Sequence, residues 1–281
     1  MAETIVIIPT YNERENIESL VLEIFRHAPY VNVLIVDDNS PDGTGVIADK
    51  MAKEDSRVLV MHRAVRKERS ADGLREALKD QGVRYVMEMD ADFTHKPSYI
   101  PDFLREIKRN DIVIGSRFIK GGSDVNRKFS RRCLSRFVNY FIRAYLGLKI
   151  KDCTSGYRCF KRQVLDSIDL DSLVSKGPAV IEELLYIVSF KGFRIKEIPV
   201  TLQDRKKGDS KLNFKKLCRV LMDIITFKRI HMPEAKKKKN REIRGFGFSL
   251  GLGLNIAGCV MFYRERPHFI WFTGIGSLGL I

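Results

Sequence analysis

The chain has 281 residues, 44% of them hydrophobic, and a formal net charge of +15. That leaves room for a full-sized core in one large domain or two smaller ones. The charge is concentrated: positions 205–244 hold 15 Lys/Arg against 4 Asp/Glu, the remainder is close to balanced, and so a basic nucleic-acid-binding body is disfavoured.

No internal repeat is visible. The opening "MAETIVIIPTYNE" enters a strand-like run without a basic region or cleavage site, so no signal peptide is expected. The five cysteines (Cys133, Cys153, Cys159, Cys218, Cys259) are scattered and contain no CxxC pair. They read as reduced, mostly buried thiols rather than a zinc site.

Strand and helix signals then alternate. "TIVIIPTY" is a short β-rich run, and "NERENIESLVLEIFRHA" puts Ile17, Leu20, Val21 and Ile24 on one helical face. "VNVLIVDD" is a buried strand, "TGVIADKMAKE" a helix, "RVLVMHR" a strand and "DGLREALKDQG" a helix. "RYVMEMD" is a strand, "YIPDFLREIKR" a helix and "DIVIGSRF" a strand. This order predicts a mostly parallel α/β sheet flanked by helices. Ligands of such sheets bind beyond the carboxyl ends of the strands. The ends "PTYNE", "DDNSPDGT", "DADFTH" and "GSRF" are therefore expected to face one crevice.

Beyond about residue 131 the texture changes. "RRCLSRFVNYFIRAYLGL" is helical, "KDCTSGYRCFKR" loop and strand, "AVIEELLYIVSFKG" helix and "FRIKEIPVTLQDR" strand. In 213–233, Phe214, Leu217, Leu221, Ile224 and Ile225 form a stripe with basic residues elsewhere. A core helix fits this stripe, but the basic flank favours an amphipathic helix at a membrane interface. A basic linker covers 234–244. The segment 245–263 then runs 19 residues without a charge, close to the length of about 20 needed to span a membrane. It predicts a transmembrane segment, with Gly247 and Gly251 as a possible helix-pairing GxxxG. After "RERPH", 13 further uncharged residues are short for a span and read as the start of a returning helix. The lysine run before the span places that side in the cytoplasm, so the expected location is the membrane with the α/β part, residues 1–212, on its cytoplasmic side.

Asp90 and Asp92 form a D-x-D just after a buried strand. Their repulsion is tolerable where a divalent cation neutralises them, and Mg2+ or Mn2+ suits carboxylate oxygens together with substrate phosphates. Asp37 and Asp38, ending a neighbouring strand, supply acceptors for a base N–H or a ribose hydroxyl. Within residues 1–212 neither GxGxxG nor GxxxxGK[ST] is present, which disfavours a dinucleotide dehydrogenase and a P-loop kinase.

Taken in order, "IPTYNE", "VDDNSPDGT", "MDADFTH" and "GSRF" resemble the GT-A (Rossmann-like) glycosyltransferases of family 2. "DCTSGYRCFKR" and "EIPVTLQDRKKGDSKL" are similar to polyprenyl-phosphate hexosyltransferases, most of all dolichyl-phosphate mannose synthases. The resemblance covers about residues 4–212. It implies that Pro9, Tyr11 and Glu13 border the nucleotide, that Val36, Asp37 and Asp38 meet its base and ribose, and that Asp90, Ala91 and Asp92 hold the metal and sugar diphosphate, with Thr94 near the metal. It further implies that Arg117, Arg205 and Lys211 contact phosphates, with Arg117, Arg131, Arg132 and Ser135 at the acceptor phosphate. Glu183 occupies a position where relatives carry an acid. The stretch 63–82 departs from the pattern, with Gly73 but no glycine run, and this bears on sugar identity more than on fold.

The implied acceptor is a lipid phosphate whose oxygen is already anionic, so no general base is required and His95 reads as packing or support. The work becomes positioning and charge neutralisation, with Asp90, Asp92, Arg117 and Arg205 as its centre. The resemblance implies an inverting, metal-dependent transfer of mannose from GDP-mannose to dolichyl or polyprenyl phosphate. UDP-glucose as donor, and a catalytically impaired nucleotide-sugar-binding scaffold, are the alternatives. Nucleic acid is not an expected partner, and self-association through Gly247 and Gly251 is a further expectation.

Overall fold

The computed structural model describes residues 3–64, 71–125, 129–175, 177–203 and 214–231, apart from the side chains at 130, 131, 178, 203 and 214–218. The strands are β1 (Thr4–Thr10), β2 (Asn32–Asp37), β3 (Val58–His62), β4 (Tyr85–Glu88), β5 (Ile112–Ser116), β6 (Ser123–Val125), β7 (Arg158–Lys161), β8 (Ile195–Pro199) and β9 (Thr201–Gln203). The helices are α1 (Ile17–His27), α2 (Thr44–Glu54), α3 (Asp72–Leu78), α4 (Ile100–Glu106), α5 (Phe129–Leu146), α6 (Arg162–Asp166), α7 (Val180–Phe190) and α8 (Phe214–His231).

Seven strands form one sheet in the order β3-β2-β1-β4-β7-β5-β8. β1 pairs in parallel with β2 and β4, β2 with β3, and β5 with β8. β7 runs antiparallel to both β4 and β5. The sheet is thus mostly parallel, as its alternating sequence predicts, with one reversed strand inserted. β6 and β9 pair separately. β1 and β2 are almost wholly buried, as strands covered on both faces must be, which is why they read as unbroken apolar runs. The predicted stripe of α1 (Ile17, Leu20, Val21, Ile24) is fully buried in one of two core layers with Val6, Ile8, Val33 and Ile35. The opposite layer holds Ile5, Ile7, Leu34 and Val36 with Leu74, Ala77, Leu184 and Leu185.

Gly73 has a packing role. A Cβ there would lie 2.9 Å from Ile7 Cγ2 and 3.2 Å from Val36 Cγ2, so the absence of a side chain lets α3 rest close on β1 and β2. In α8, Ile224 and Phe227 are fully buried in the core, Phe227 beside the Tyr186 ring of α7, while Met222 and Ile230 are exposed. The expected membrane segments 245–281, the linker before them, and Gly247 and Gly251 lie outside the described residues. Among the described residues no helix is long and apolar enough to cross a membrane. The two longest, α5 and α8, are interrupted by Arg and Lys, which are costly within hydrocarbon. The expected architecture is therefore corrected to an α/β domain in which no described helix spans a membrane, and the membrane location with a cytoplasmic catalytic side is withdrawn with it.

Two features of the frame are testable. A Cβ at Gly122 would come within 2.3 Å of the Ser116 carbonyl oxygen and 2.9 Å of the Arg117 carbonyl carbon. Gly122→Ala is expected to lower unfolding free energy by about 1–3 kcal/mol in chemical denaturation; parental stability would show that this loop does not press on the end of β5. Asp111, at the start of β5, accepts the Arg194 N–H at 3.0 Å and pairs with Lys161 at 3.2 Å. Burial opposes its charge, but the bonds from Arg194 and Lys161 prevail and hold its pKa below the usual carboxylate value. Stability from a depressed carboxylate is complete above its unfolded pKa of about 4 and is lost as pH falls through the lower folded value. The stability gap between the parent and Asp111→Asn should therefore be full near neutrality and close on acidification, and a gap that does not change with pH would contradict this.

Candidate active site

The parallel strands β1, β2, β4 and β5 deliver their carboxyl ends to one edge of the sheet, and β1 is the point from which successive connections diverge to either side. Ligands of open α/β sheets lie at such a point. Each of the first three strand ends is followed by a residue with left-handed backbone: Asn12 (φ 59°), Asn39 (φ 56°) and Phe93 (φ 59°). Asparagine tolerates this conformation, whereas phenylalanine there carries strain of the kind found at functional sites.

The first two loops are stitched together. The Asn12 N–H donates to Ser40 Oγ, the Glu13 N–H to Thr44 Oγ1 and the Arg14 N–H to Asp42 Oδ2. Asp42 also accepts the Thr44 N–H and hydroxyl. Asp37 is buried and accepts from Thr10 Oγ1 at 3.0 Å, the Ser40 N–H at 3.0 Å and Ser40 Oγ at 2.6 Å. Asp38 is also buried and forms a 2.5 Å ion pair with the equally buried Arg63, whose guanidinium lies 3.8 Å from Asp72. Asp37 thus shapes its own turn, and Asp38 is held by a cation from the end of β3.

The third loop carries Asp90 and Asp92. The Asp92 carboxylate accepts the Thr94 N–H at 3.1 Å and the Thr94 hydroxyl at 2.6 Å. The Asp90 N–H donates to His95 Nδ1 at 2.9 Å, so the ring proton sits on Nε2, which is 3.7 Å from Asp90 Oδ2. The imidazole is stacked on Tyr157 with centroids 4.7 Å apart, and the Tyr157 hydroxyl donates to the Lys96 carbonyl. The Asp90 side chain remains 31% exposed. Among the described residues no group of three or more His, Cys, Asp or Glu side chains could hold a metal. Two hard carboxylates without a third protein ligand suit an Mg2+-type ion that completes its shell with substrate phosphate and water.

The fourth strand end presents Arg117, whose side chain is only 8% exposed. Its Nε and terminal nitrogen grip the fully buried Asp152 carboxylate at 2.7 Å each, its own N–H adds a third bond, and Thr154 Oγ1 accepts a fourth. Burial works against the Arg117 charge, but the bonds and charge of Asp152 outweigh it and keep its pKa above the ordinary arginine value. The Asp152 loop is fixed in turn: Glu197 accepts the N–H groups of Lys151 and Asp152, and Asn139 of α5 binds the Lys151 carbonyl and the Cys153 N–H. Arg158, fully buried at the start of β7, donates to the carbonyls of Ser155, Ile181 and Cys153.

Comparison with known proteins agrees with this geometry. The pattern of glycosyl transferase family 2 matches residues 5–169. The chain belongs to glycosyl transferase family 2. It is 41% identical over 219 residues to the polyprenol monophosphomannose synthase of Mycolicibacterium smegmatis, covering 75% of this chain and 81% of that one. It is 39% identical to the undecaprenyl-phosphate mannosyltransferase of Micrococcus luteus, covering 74% and 86%. It is also 35% identical to the dolichol-phosphate mannosyltransferase of Pyrococcus furiosus, where the match spans 78% of this chain and 62% of the relative. Among solved structures, glucosyl-3-phosphoglycerate synthase from Mycobacterium tuberculosis with Mn2+, UDP-glucose and phosphoglyceric acid shares the fold, with TM-score 0.59, 20% identity and coverage of 83% and 81%. A mannosyltransferase from Pyrobaculum calidifontis with GDP-Man and Mn2+ also shares it, with TM-score 0.55, 15% identity and coverage of 94% and 81%.

In this family 2 glycosyltransferase the sheet edge brings together the loops of Pro9, Tyr11, Glu13, Asp37, Asp38, Asp90, Asp92, Thr94 and Arg117. Val36 and Ala91 are buried and can act only through backbone and packing. Arg205 and Lys211 lie outside the described residues, and Arg131 is described only as a member of α5. Arg132 is exposed, with its guanidinium 6.0 Å from the Phe129 ring centre, and Ser135 is half-buried. Glu183 has a structural role: fully buried, it accepts the N–H groups of Val174 and Ser175 and pairs with His231 at 2.6 Å. The thiol of Cys153 is pushed up to about 12 by burial, and that of Cys159 higher still, so neither is a nucleophile, while Cys133 is exposed. Residues that the sequence does not single out are Asp152, Thr154, Asn139, Arg158 and Arg63. The signal of Asp152, Thr154 and Arg158 lay in "DCTSGYRCFKR", read as a signature without individual roles, whereas Asn139 and Arg63 lie outside it.

Removing the partner of a buried charge typically costs about 3–5 kcal/mol. Asp152→Ala should lose roughly that much stability in urea titration, with Thr154→Ala losing far less. A small loss at Asp152 would mean that Arg117 finds another partner and that this pair is not an anchor.

Proposed function

We propose that this glycosyltransferase moves a hexose, mannose from GDP-mannose in the first instance, to the phosphate of a polyprenyl or dolichyl phosphate with the aid of Mg2+ or Mn2+. The observation that carries the reading is the placement of Asp90 and Asp92 at the switch point of the sheet, in a chain whose relatives at 35–41% identity are named as polyprenyl-type phosphate mannosyltransferases. Asp90 and Asp92 would hold the metal. When bound, the ion offsets the charge of the sugar diphosphate and of the departing nucleotide.

The remaining work falls to the chain. His95 and the Asp90 N–H fix the start of the metal-binding turn, and Thr94 orients the Asp92 carboxylate. Asp37 holds the turn at the end of β2, and Arg63 keeps Asp38 in place for nucleotide recognition. Arg117 is held through two of its nitrogens, while the other terminal nitrogen, 4.0 Å from Asp124, makes no hydrogen bond among the described residues and is available to a phosphate oxygen. Arg205, Lys211, Arg131, Arg132 and Ser135 remain the proposed further phosphate contacts. The acceptor phosphate is anionic near neutral pH and needs no base to deprotonate it. That accords with His95 being buried and occupied by Asp90 rather than facing an acceptor.

The test is transfer of label. The protein is incubated with labelled GDP-mannose or UDP-glucose and a polyprenyl phosphate, with and without Mn2+, and the lipid phase is counted. GDP-mannose is expected to label lipid only when divalent metal is present. Asp90→Asn and Asp92→Asn should each reduce the rate about a hundredfold or more with unchanged unfolding curves. Preferential labelling from UDP-glucose would replace the donor, and no labelling from either donor would overturn the reading.

A further inference from the structure

Tyr157, immediately before β7, is fully buried and cannot touch a substrate. It nevertheless reaches both ends of the turn that carries Asp90 and Asp92. Its ring stacks on His95, with centroids 4.7 Å apart and planes 10° from parallel. Its hydroxyl donates to the Lys96 carbonyl at 2.8 Å. Burial pushes the Tyr157 phenol well above its ordinary value, so the proton stays in place as a donor.

The stack acts on Asp90 through its backbone. Nδ1 of His95 accepts the Asp90 N–H at 2.9 Å, and the lone pair of such a nitrogen lies in the plane of its ring. Rotation of an imidazole about its last side-chain bond is soft. Holding the ring plane therefore aims the lone pair at the Asp90 N–H. Between the two residues the chain passes through left-handed Phe93 (φ 59°), a conformation that persists only where the surroundings impose it. Tyr157 constrains this turn at its start, through His95, and at its exit, through Lys96.

Tyr157 is itself anchored. Its carbonyl accepts the Gly115 N–H of β5 at 2.9 Å, and its N–H donates to Ser155 Oγ at 3.3 Å. Phe103 of α4 lies against its ring, with centroids 4.4 Å apart. A Cβ at Gly115 would come within 3.0 Å of Phe103 Cζ, so the glycine leaves room for that ring. The segment that carries Tyr157 also carries Asp152, which grips Arg117. One short stretch of chain thus sets the cationic strand end and the acidic turn in a common frame.

We propose that Tyr157 is a positioning residue for metal binding: through the His95 ring it fixes the Asp90 backbone, and with it the Asp90 carboxylate, in the geometry that a divalent cation needs. The inference rests on the reading that Asp90 and Asp92 hold the metal.

Mn2+ is titrated calorimetrically into the full chain in the presence of GDP or UDP, with the nucleotide alone as reference. Tyr157→Leu is expected to weaken Mn2+ binding about tenfold, the scale of one aromatic pair. Tyr157→Phe, which keeps the ring, should recover most of that loss. In a His95→Asn background, where the supported ring is gone, Tyr157→Leu should weaken Mn2+ binding no further. A Tyr157 that only packs the core would lower the unfolding midpoint and leave Mn2+ affinity unchanged. Tyr157→Met, which fills the space without a ring, replaces Tyr157→Leu if the leucine variant does not fold. Parental Mn2+ affinity in the ringless variant, or an equal loss with and without His95, overturns this inference alone, so long as Asp92→Asn abolishes binding. A parent chain that does not bind Mn2+, or Asp92→Asn binding it as the parent does, overturns the metal reading and this inference with it.

Discussion

The geometry of the sheet edge depends on one buried ion pair. Asp152 is fully buried and receives three bonds from Arg117, two from the guanidinium and one from the backbone N–H. Two charges removed from water are tolerable only when their geometry is good and their remaining polar atoms are satisfied, and here both Asp152 oxygens are bonded to Arg117 and Thr154 takes a further bond from its guanidinium. The pair fixes the end of β5 against the loop that leads into the reversed strand β7. The same loop is held from outside by Glu197 of β8 and Asn139 of α5. Four elements distant in sequence are thus referenced to one carboxylate. Arg158 extends the clamp from β7 to α7 through backbone carbonyls alone.

The acidic side of the edge is arranged on a different principle. Four aspartates stand at or just beyond the ends of β2 and β4, and the structure limits their mutual repulsion by giving each a different local environment. Asp37 is saturated by hydroxyls and an amide, Asp38 is neutralised by Arg63, Asp92 is oriented by Thr94, and Asp90 keeps a partly exposed side chain. A left-handed phenylalanine between Asp92 and Thr94 is a conformation that the chain would not choose on its own. It persists because the short-range bonds around it, from the Asp90 N–H to His95 Nδ1 and from Thr94 to Asp92, define the turn. These bonds hold the two carboxylates in place before any ligand arrives, which is what electrostatic preorganisation requires.

Much of this was legible in the sequence, because the strands of a doubly covered parallel sheet are written as apolar runs and their polar ends mark the functional edge. The β1, β2, β4 and β5 segments, the α1 stripe and the D-x-D position follow from that pattern alone. Other features were not legible, each for a physical reason. The reversal of β7 has no local signal, since a four-residue strand reads alike in either direction. Arg117 carried the pattern of a phosphate ligand, but only tertiary structure reveals that Asp152, 35 residues away, takes most of its hydrogen bonds. Asp38 looked like a ribose reader, and its neutralisation by Arg63 depends on the registry of β2 with β3. Gly73 stood in the sequence only as the glycine of a stretch without a glycine run, and its packing on Ile7 and Val36 appears only in three dimensions. The apolar runs after residue 244 fit the length rule for a membrane span, yet no helix among the described residues meets that rule.

A protein that handles two phosphorylated molecules needs a high density of cations without the repulsion that unpaired cations create. This chain divides the task. Cations that set geometry, such as Arg63 and Arg158, are buried and engaged by an acid or by carbonyls, and Arg117 is gripped by Asp152 through two of its side-chain nitrogens. Arg136 and Arg143 of α5 and Lys151 pair with no carboxylate among the described residues. The arrangement explains why substitutions in the two groups should behave differently. Loss of an engaged cation strands a buried acid or carbonyl and acts first on stability, whereas loss of an unpaired one relieves repulsion and acts first on anion affinity.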